Sequence, residues 1–134
     1  MPNRSLDWFQ QARRDLEQAQ ASQNEARHEW ACFAAHQAAE KAVKALHLFY
    51  NQEAWGHLVA RLLSELPPQS AVPPLLIEQA KVLDNFYIPT RYPDSHPAGS
   101  PFEHYGFLQS EEAVRHASAI VEFVSHAMAE PGGS

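Results

Sequence analysis

Ala34-Ala35-His36-Gln37-Ala38-Ala39-Glu40-Lys41-Ala42-Val43-Lys44-Ala45-Leu46 is the stretch on which the fold turns. It lies inside a run from about Glu29 to Tyr50 that contains no glycine or proline. Alanine, the best helix former, is dense there. Ala35, Ala38, Ala42, Leu46 and Phe49 recur at helical spacing and make one stripe. Small side chains on that stripe let a second helix approach closely, so the run predicts the central helix of a bundle. The opposite face carries Gln37, Glu40, Lys41 and Lys44 and reads as polar helix surface. Glu40 and Lys44 stand at i, i+4 in the favourable orientation.

Working outward, a first helix is predicted from about Ser5 to Ser22. Trp8, Ala12, Leu16 and Ala19 share its apolar face. Ser5 suits the N-cap and Asp7 the first turn. Gln23-Asn24-Glu25-Ala26 reads as a polar turn. Beyond the central run, Gly56 and His57 open a short helix through Leu66, with Leu58, Leu62 and Leu66 on one face. Pro67-Pro68 stops it. A fourth helix starts near Pro73-Pro74, because proline is tolerated in a first turn. Its buried face is Leu76, Ala80, Leu83 and Tyr87. A last helix runs from Ser110, as N-cap, to about Met128, with Ala113, Ala117, Ile120, Val124 and Met128 in a stripe.

Residues 86–109 break the pattern. They hold four prolines (Pro89, Pro93, Pro97, Pro101) and six aromatics (Phe86, Tyr87, Tyr92, Phe102, Tyr105, Phe107). The prolines exclude a long helix and spoil a strand. The aromatics argue against disorder, since disordered segments are poor in them. Long loops in compact domains are often functional. The expectation is an all-α domain of about five helices over residues 1–130. A long, ordered aromatic and proline loop precedes its last helix, and residues 131–134 form a disordered tail.

Composition narrows the function. One cysteine among 134 residues excludes an internal disulfide and a cysteine-based zinc cage. Cys32 lies in an apolar helical context and reads as a buried hydrophobe. The net charge of −6 excludes nucleic-acid binding through bulk charge. No signal peptide or membrane span is read, so a soluble cytoplasmic protein is expected. The eight histidines are scattered, with no HExxH or zinc spacing, and neither metal nor cofactor is expected. His36 and Glu40, at i, i+4, read as helix-surface contacts, and His57 as a residue that caps or packs at a helix start.

The loop holds the residues with chemistry: Arg91, Tyr92, Asp94, His96 and His104. Arg91 offers a planar fork of donors suited to phosphate. His96 follows at Arg-x4-His and can move protons near neutral pH. Together they suffice in principle for metal-free RNA cleavage, with the arginine stabilising charge on the phosphoryl oxygens. The alternative is that Arg91 pairs with Asp94 or Glu40 and only locks the loop.

Three segments together resemble the HEPN family of small helical domains. They are Trp8 to Leu16 (WFQQARRDL), Ala34 to Leu46 followed by His57-Leu58, and Leu83 to Asp94 (LDNFYIPTRYPD). The resemblance implies an up-and-down bundle that forms a homodimer. It implies a toxin–antitoxin pair in which a minimal nucleotidyltransferase is the partner. It also implies a metal-independent endoribonuclease that uses Arg91 and His96 across the dimer. Pro93 departs from the ribonuclease pattern, in which the motif sits on a helix. The Arg-Tyr-Pro-Asp form is similar to a branch for which nucleotide binding is suggested. That implies a non-catalytic nucleotide-binding or nucleotidyltransferase-docking module. Its site would be Arg91, Tyr92 and Asp94, with Glu40 and Lys41 lining the same cleft.

Overall fold

The central helix α2 spans His28–Phe49. In this computed structural model, which describes residues 3–129, it packs along α1 (Ser5–Asn24) and α6 (Phe107–Ala129). Ala35, Ala38, Ala42 and Leu46 are fully buried at these contacts, while Phe49 is half-buried. The short α3 (Val59–Ser64) and α4 (Pro74–Asp84) pack on each other, and both touch α2. Leu62, Leu63, Leu83 and Ile120 complete the core. Each such side chain contributes about 1.5–3 kcal/mol by leaving water. Among the described residues there are only helices and turns. Among the described residues no helix is long and apolar enough to cross a membrane. The tail expected at 131–134 lies outside the described residues.

The ends of the two long helices have a common geometry. After α1, the Ala26 N–H donates to the Gln23 carbonyl and the Arg27 N–H to the Ser22 carbonyl. After α2, Asn51 donates to Leu48 and Gln52 to His47. Both are Schellman motifs, which need a left-handed residue. Ala26 and Asn51 supply it, each with φ of 59°.

Several boundaries and faces differ from expectation. Ser5 is the first residue of α1 rather than its cap, and its N–H donates to Asn3 Oδ1 at 2.8 Å. Phe9, not Trp8, fills the core beneath α1, and Trp8 is partly exposed. The helix expected from Gly56 begins only at Val59, and Leu58 is exposed. Ser110 lies inside α6, one turn past its start, where its Oγ donates to the Phe107 carbonyl and accepts from His28 Nδ1–H. The Glu40 face of α2 is not open surface, because Glu40 itself is 4 % exposed.

The proline-rich stretch is ordered as expected, in short pieces. Phe86 is buried, and buried Thr90 donates from Oγ1 to the Phe86 carbonyl at 2.6 Å. A 3-10 turn covers Pro93–Ser95. A single helical turn, α5 (Pro101–His104), is held by a Ser100–Glu103 capping box. Prolines open both pieces, where a missing N–H costs nothing.

Candidate functional site

Arg91 sits where the turn after α4 folds back over α2. Its Nε donates to the Tyr87 carbonyl at 2.9 Å. The guanidinium carbon lies 4.5 Å from the Phe33 ring centroid, 4.8 Å from Tyr87 and 5.2 Å from Tyr92. A guanidinium at such distances is attracted by each ring, by about 0.5–2 kcal/mol depending on desolvation. The expected lock to Asp94 or Glu40 does not form. Among the described residues Arg91 makes no ion pair, Glu40 is engaged elsewhere, and Asp94 is exposed. The rings fix the position of the cation, and its charge remains uncompensated.

Beneath Tyr87 lies a polar network. The His57 ring stacks on Tyr87 at 4.8 Å and 19°. His57 Nδ1–H donates to the Glu40 carboxylate, with both oxygens at 3.1 Å. Lys44 Nζ donates to the same carboxylate at 3.0 Å. Fully buried His36 shares its Nε2–H between the His57 carbonyl at 2.9 Å and Asp84 Oδ1 at 3.3 Å. Asp84 also accepts from the Val59 and Ala60 N–H groups at 2.7 and 3.1 Å, which caps α3 from α4. Glu40 therefore reaches Arg91 through two stacked rings, His57 and Tyr87, and not by lining an open cleft. His36, read as a surface contact, is a core residue because its helix face is covered by the 55–58 segment and α4.

Lys41 does not join this network. It lies one residue, and so about 100° of helical rotation, from Glu40. Its Nζ pairs with Asp15 of α1 at 2.5 Å. His96 belongs to a separate cluster. Its Nε2–H donates to the Pro89 carbonyl at 2.7 Å, and its ring stacks on His104 at 4.1 Å and 5°. Tyr105 meets it edge-on. His104 Nε2–H donates to the Ala98 carbonyl at 2.6 Å. One ring nitrogen of each histidine is therefore committed to backbone.

Sequence reasoning passes over Phe33, and places Tyr87 and His57 only as packing residues. Gly56-His57 is a visible signal. Nothing in one-dimensional periodicity joins residue 33 to residue 91. Two grooves flank the site. One, of about 480 Å³, runs between α1 and α2 and is walled by Trp30, Phe33, Gln37 and Lys41. The other, of about 410 Å³, is bounded by Trp8, Lys44, Trp55 and His57. No group of three or more His, Cys, Asp or Glu side chains is placed to hold a metal ion among the described residues.

Comparison with known proteins places these features in a family. The model of the HEPN domain matches residues 5–127. Among solved structures, TT1696 from Thermus thermophilus is 53 % identical, with a TM-score of 0.91, over 93 % of this chain and 98 % of that one. ST0689, an archaeal HEPN homologue, is 36 % identical with a TM-score of 0.78, over 96 % and 99 %. An HEPN domain protein of Thermotoga maritima is 34 % identical with a TM-score of 0.72, over 90 % and 95 %. A search of curated proteins returned no match.

Proposed function

The chain belongs to the HEPN domain family, and from that premise we propose that it is a nucleotide-binding module whose phosphate site is Arg91. One observation carries this reading. The Arg91 guanidinium rests on Phe33, Tyr87 and Tyr92 and has no carboxylate partner among the described residues. An unpaired, ring-held fork is suited to bidentate contact with a phosphate. Tyr92, exposed beside it, helps hold the guanidinium in place, and Asp94 is exposed three residues on. Glu40 acts from below, through His57 and Tyr87. Calorimetry with nucleoside monophosphates tests the reading. Binding by the parent and its loss in Arg91→Ala are expected, and heat of equal size in both proteins would refute it.

The second reading is the toxin subunit of a toxin–antitoxin pair, an endoribonuclease using Arg91 and His96 across a homodimer, with a minimal nucleotidyltransferase as partner. The stacked His96–His104 pair favours it. With each Nε2 held by a carbonyl, Nδ1 remains for proton transfer. Incubation with RNA in EDTA separates the readings. The nucleotide-binding reading predicts no cleavage. The nuclease reading predicts cleavage that Arg91→Ala and His96→Ala both abolish.

A further inference from the structure

We infer that the groove between α1 and α2 is the nucleoside subsite of the Arg91 site, so that the ligand is a 5′-phosphorylated nucleoside with its base against Trp30. The inference rests on the phosphate assignment to Arg91 and extends it to the rest of the ligand.

Phe33 links the two halves. Its ring lies under the Arg91 guanidinium at 4.5 Å and also walls the groove. Trp30, one helical turn earlier on α2, meets the same Phe33 ring edge-on at 6.3 Å and 81°. Arg91 and Trp30 therefore flank a single aromatic ring, within the span of one nucleotide. Trp30 is 47 % exposed although it is large and apolar, and it lines the groove. An exposed indole lining a cavity can serve as a platform for a base. The groove volume of about 480 Å³ falls in the usual range for small-molecule sites, about 300–1,000 Å³.

Charge assigns the two ends. Within the groove Lys41 is neutralised by Asp15, and the lining holds Glu25 as well as Arg27. The groove therefore has no net preference for an anion, whereas Arg91, which shares the Phe33 ring with it, makes no ion pair among the described residues. A phosphate belongs at Arg91 and a neutral, hydrogen-bonding ring in the groove. Gln37 donates from Nε2 to His36 Nδ1 at 3.3 Å, and its amide oxygen is the acceptor on the wall for the edge of that ring. The same chemistry is presented by a free mononucleotide and by the 5′ end of an RNA strand.

The test is titration of the full chain with AMP, with ribose 5-phosphate and with a short 5′-phosphorylated oligonucleotide. Trp30 is 47 % exposed and helical, so Trp30→Ala and Trp30→Phe are both expected to leave the fold intact. Trp30→Ala is expected to weaken AMP about tenfold, the scale of one base–aromatic stack, and to leave ribose 5-phosphate unchanged. Trp30→Phe restores most of the AMP affinity. Arg91→Ala weakens both ligands. Oligonucleotide affinity no lower than that of AMP, with the same Trp30 dependence, assigns the subsite to an RNA end; a lower affinity assigns it to the free nucleotide. An unchanged AMP affinity in Trp30→Ala overturns the subsite and leaves Arg91 as a phosphate site. Ligand affinities that ignore Arg91→Ala overturn the phosphate assignment itself.

Discussion

At the scale of single residues, Glu40 links the site to the stability of the fold. Its carboxylate is buried and accepts from Lys44 and His57, with the Lys44 side chain only 14 % exposed. Removing one member of such a pair leaves the other charge without its partner in a poorly solvated place. Glu40→Ala is therefore expected to cost about 3 kcal/mol, measured by urea unfolding. Glu40→Gln is expected to cost less, because its amide still accepts from His57. A second residue, Cys32, is governed by burial. Desolvation, with smaller contributions from the Glu29 and Glu112 charges, pushes its thiol up to about 12. The folded chain keeps the proton while the unfolded thiol loses it near pH 8.5. The unfolded state then binds fewer protons, so this contribution to stability is complete below pH 8.5 and declines between there and about 12. Alkylation at pH 9 is expected to be slow in the native protein and fast in urea. Equal rates would mean that Cys32 is open to solvent.

Elements are legible in the sequence to different degrees. The alanine stripe of α2 and the proline start of α4 can be read directly, because local periodicity and local sterics determine them. The start of α3 cannot, because its cap comes from Asp84, 25 residues away from Val59. Likewise Trp8 and Phe9 are adjacent, about 100° apart around the helix, and only the face that α1 turns toward the core decides which one is buried. The α1–α2 turn also has a hidden cost. Ala26 adopts a left-handed conformation that disfavours a Cβ by about 1–2 kcal/mol. It is exposed, so nothing packs on its methyl. Ala26→Gly is expected to raise the melting temperature by a few degrees, since about 1 kcal/mol moves a domain of this size that far. A lowered melting temperature would contradict the Schellman geometry.

For the whole molecule, the balance of charge and the exposed apolar residues set the expectations. With a net charge of −6, the chain as a whole repels polyanions, and the proposed phosphate contact is the single one at Arg91. A ligand held by one phosphate contact releases few counterions. The log–log salt slope of AMP or RNA-end affinity is therefore expected to be shallow, with magnitude about 1 or less. A steep slope would show a wider basic surface than Arg91 supplies. Phe102, Phe107 and Leu108, all at least 60 % exposed, lie together in sequence at α5 and the start of α6. Exposed apolar clusters of this kind mark association surfaces. We propose that they carry the homodimer contact. Light scattering is expected to report a dimer for the parent and a monomer for Phe107→Glu. A monomeric parent would remove the proposal.

The sequence by itself determined that the chain is helical, that α2 is its axis, and that an ordered aromatic stretch carries Arg91. Those properties follow from helical periodicity, from alanine and proline sterics, and from side-chain type, all of which act over a few residues. Only the tertiary structure decided the company that Arg91 keeps. It brought Phe33 and Tyr87 to the guanidinium and left Asp94 in solvent. It also turned Lys41 toward Asp15 and tied His96 to the loop backbone. The reason is geometric. Which faces of α1, α2 and α4 meet is set by packing across the core, and residues as far apart in sequence as Phe33 and Arg91 become neighbours only when that packing is complete.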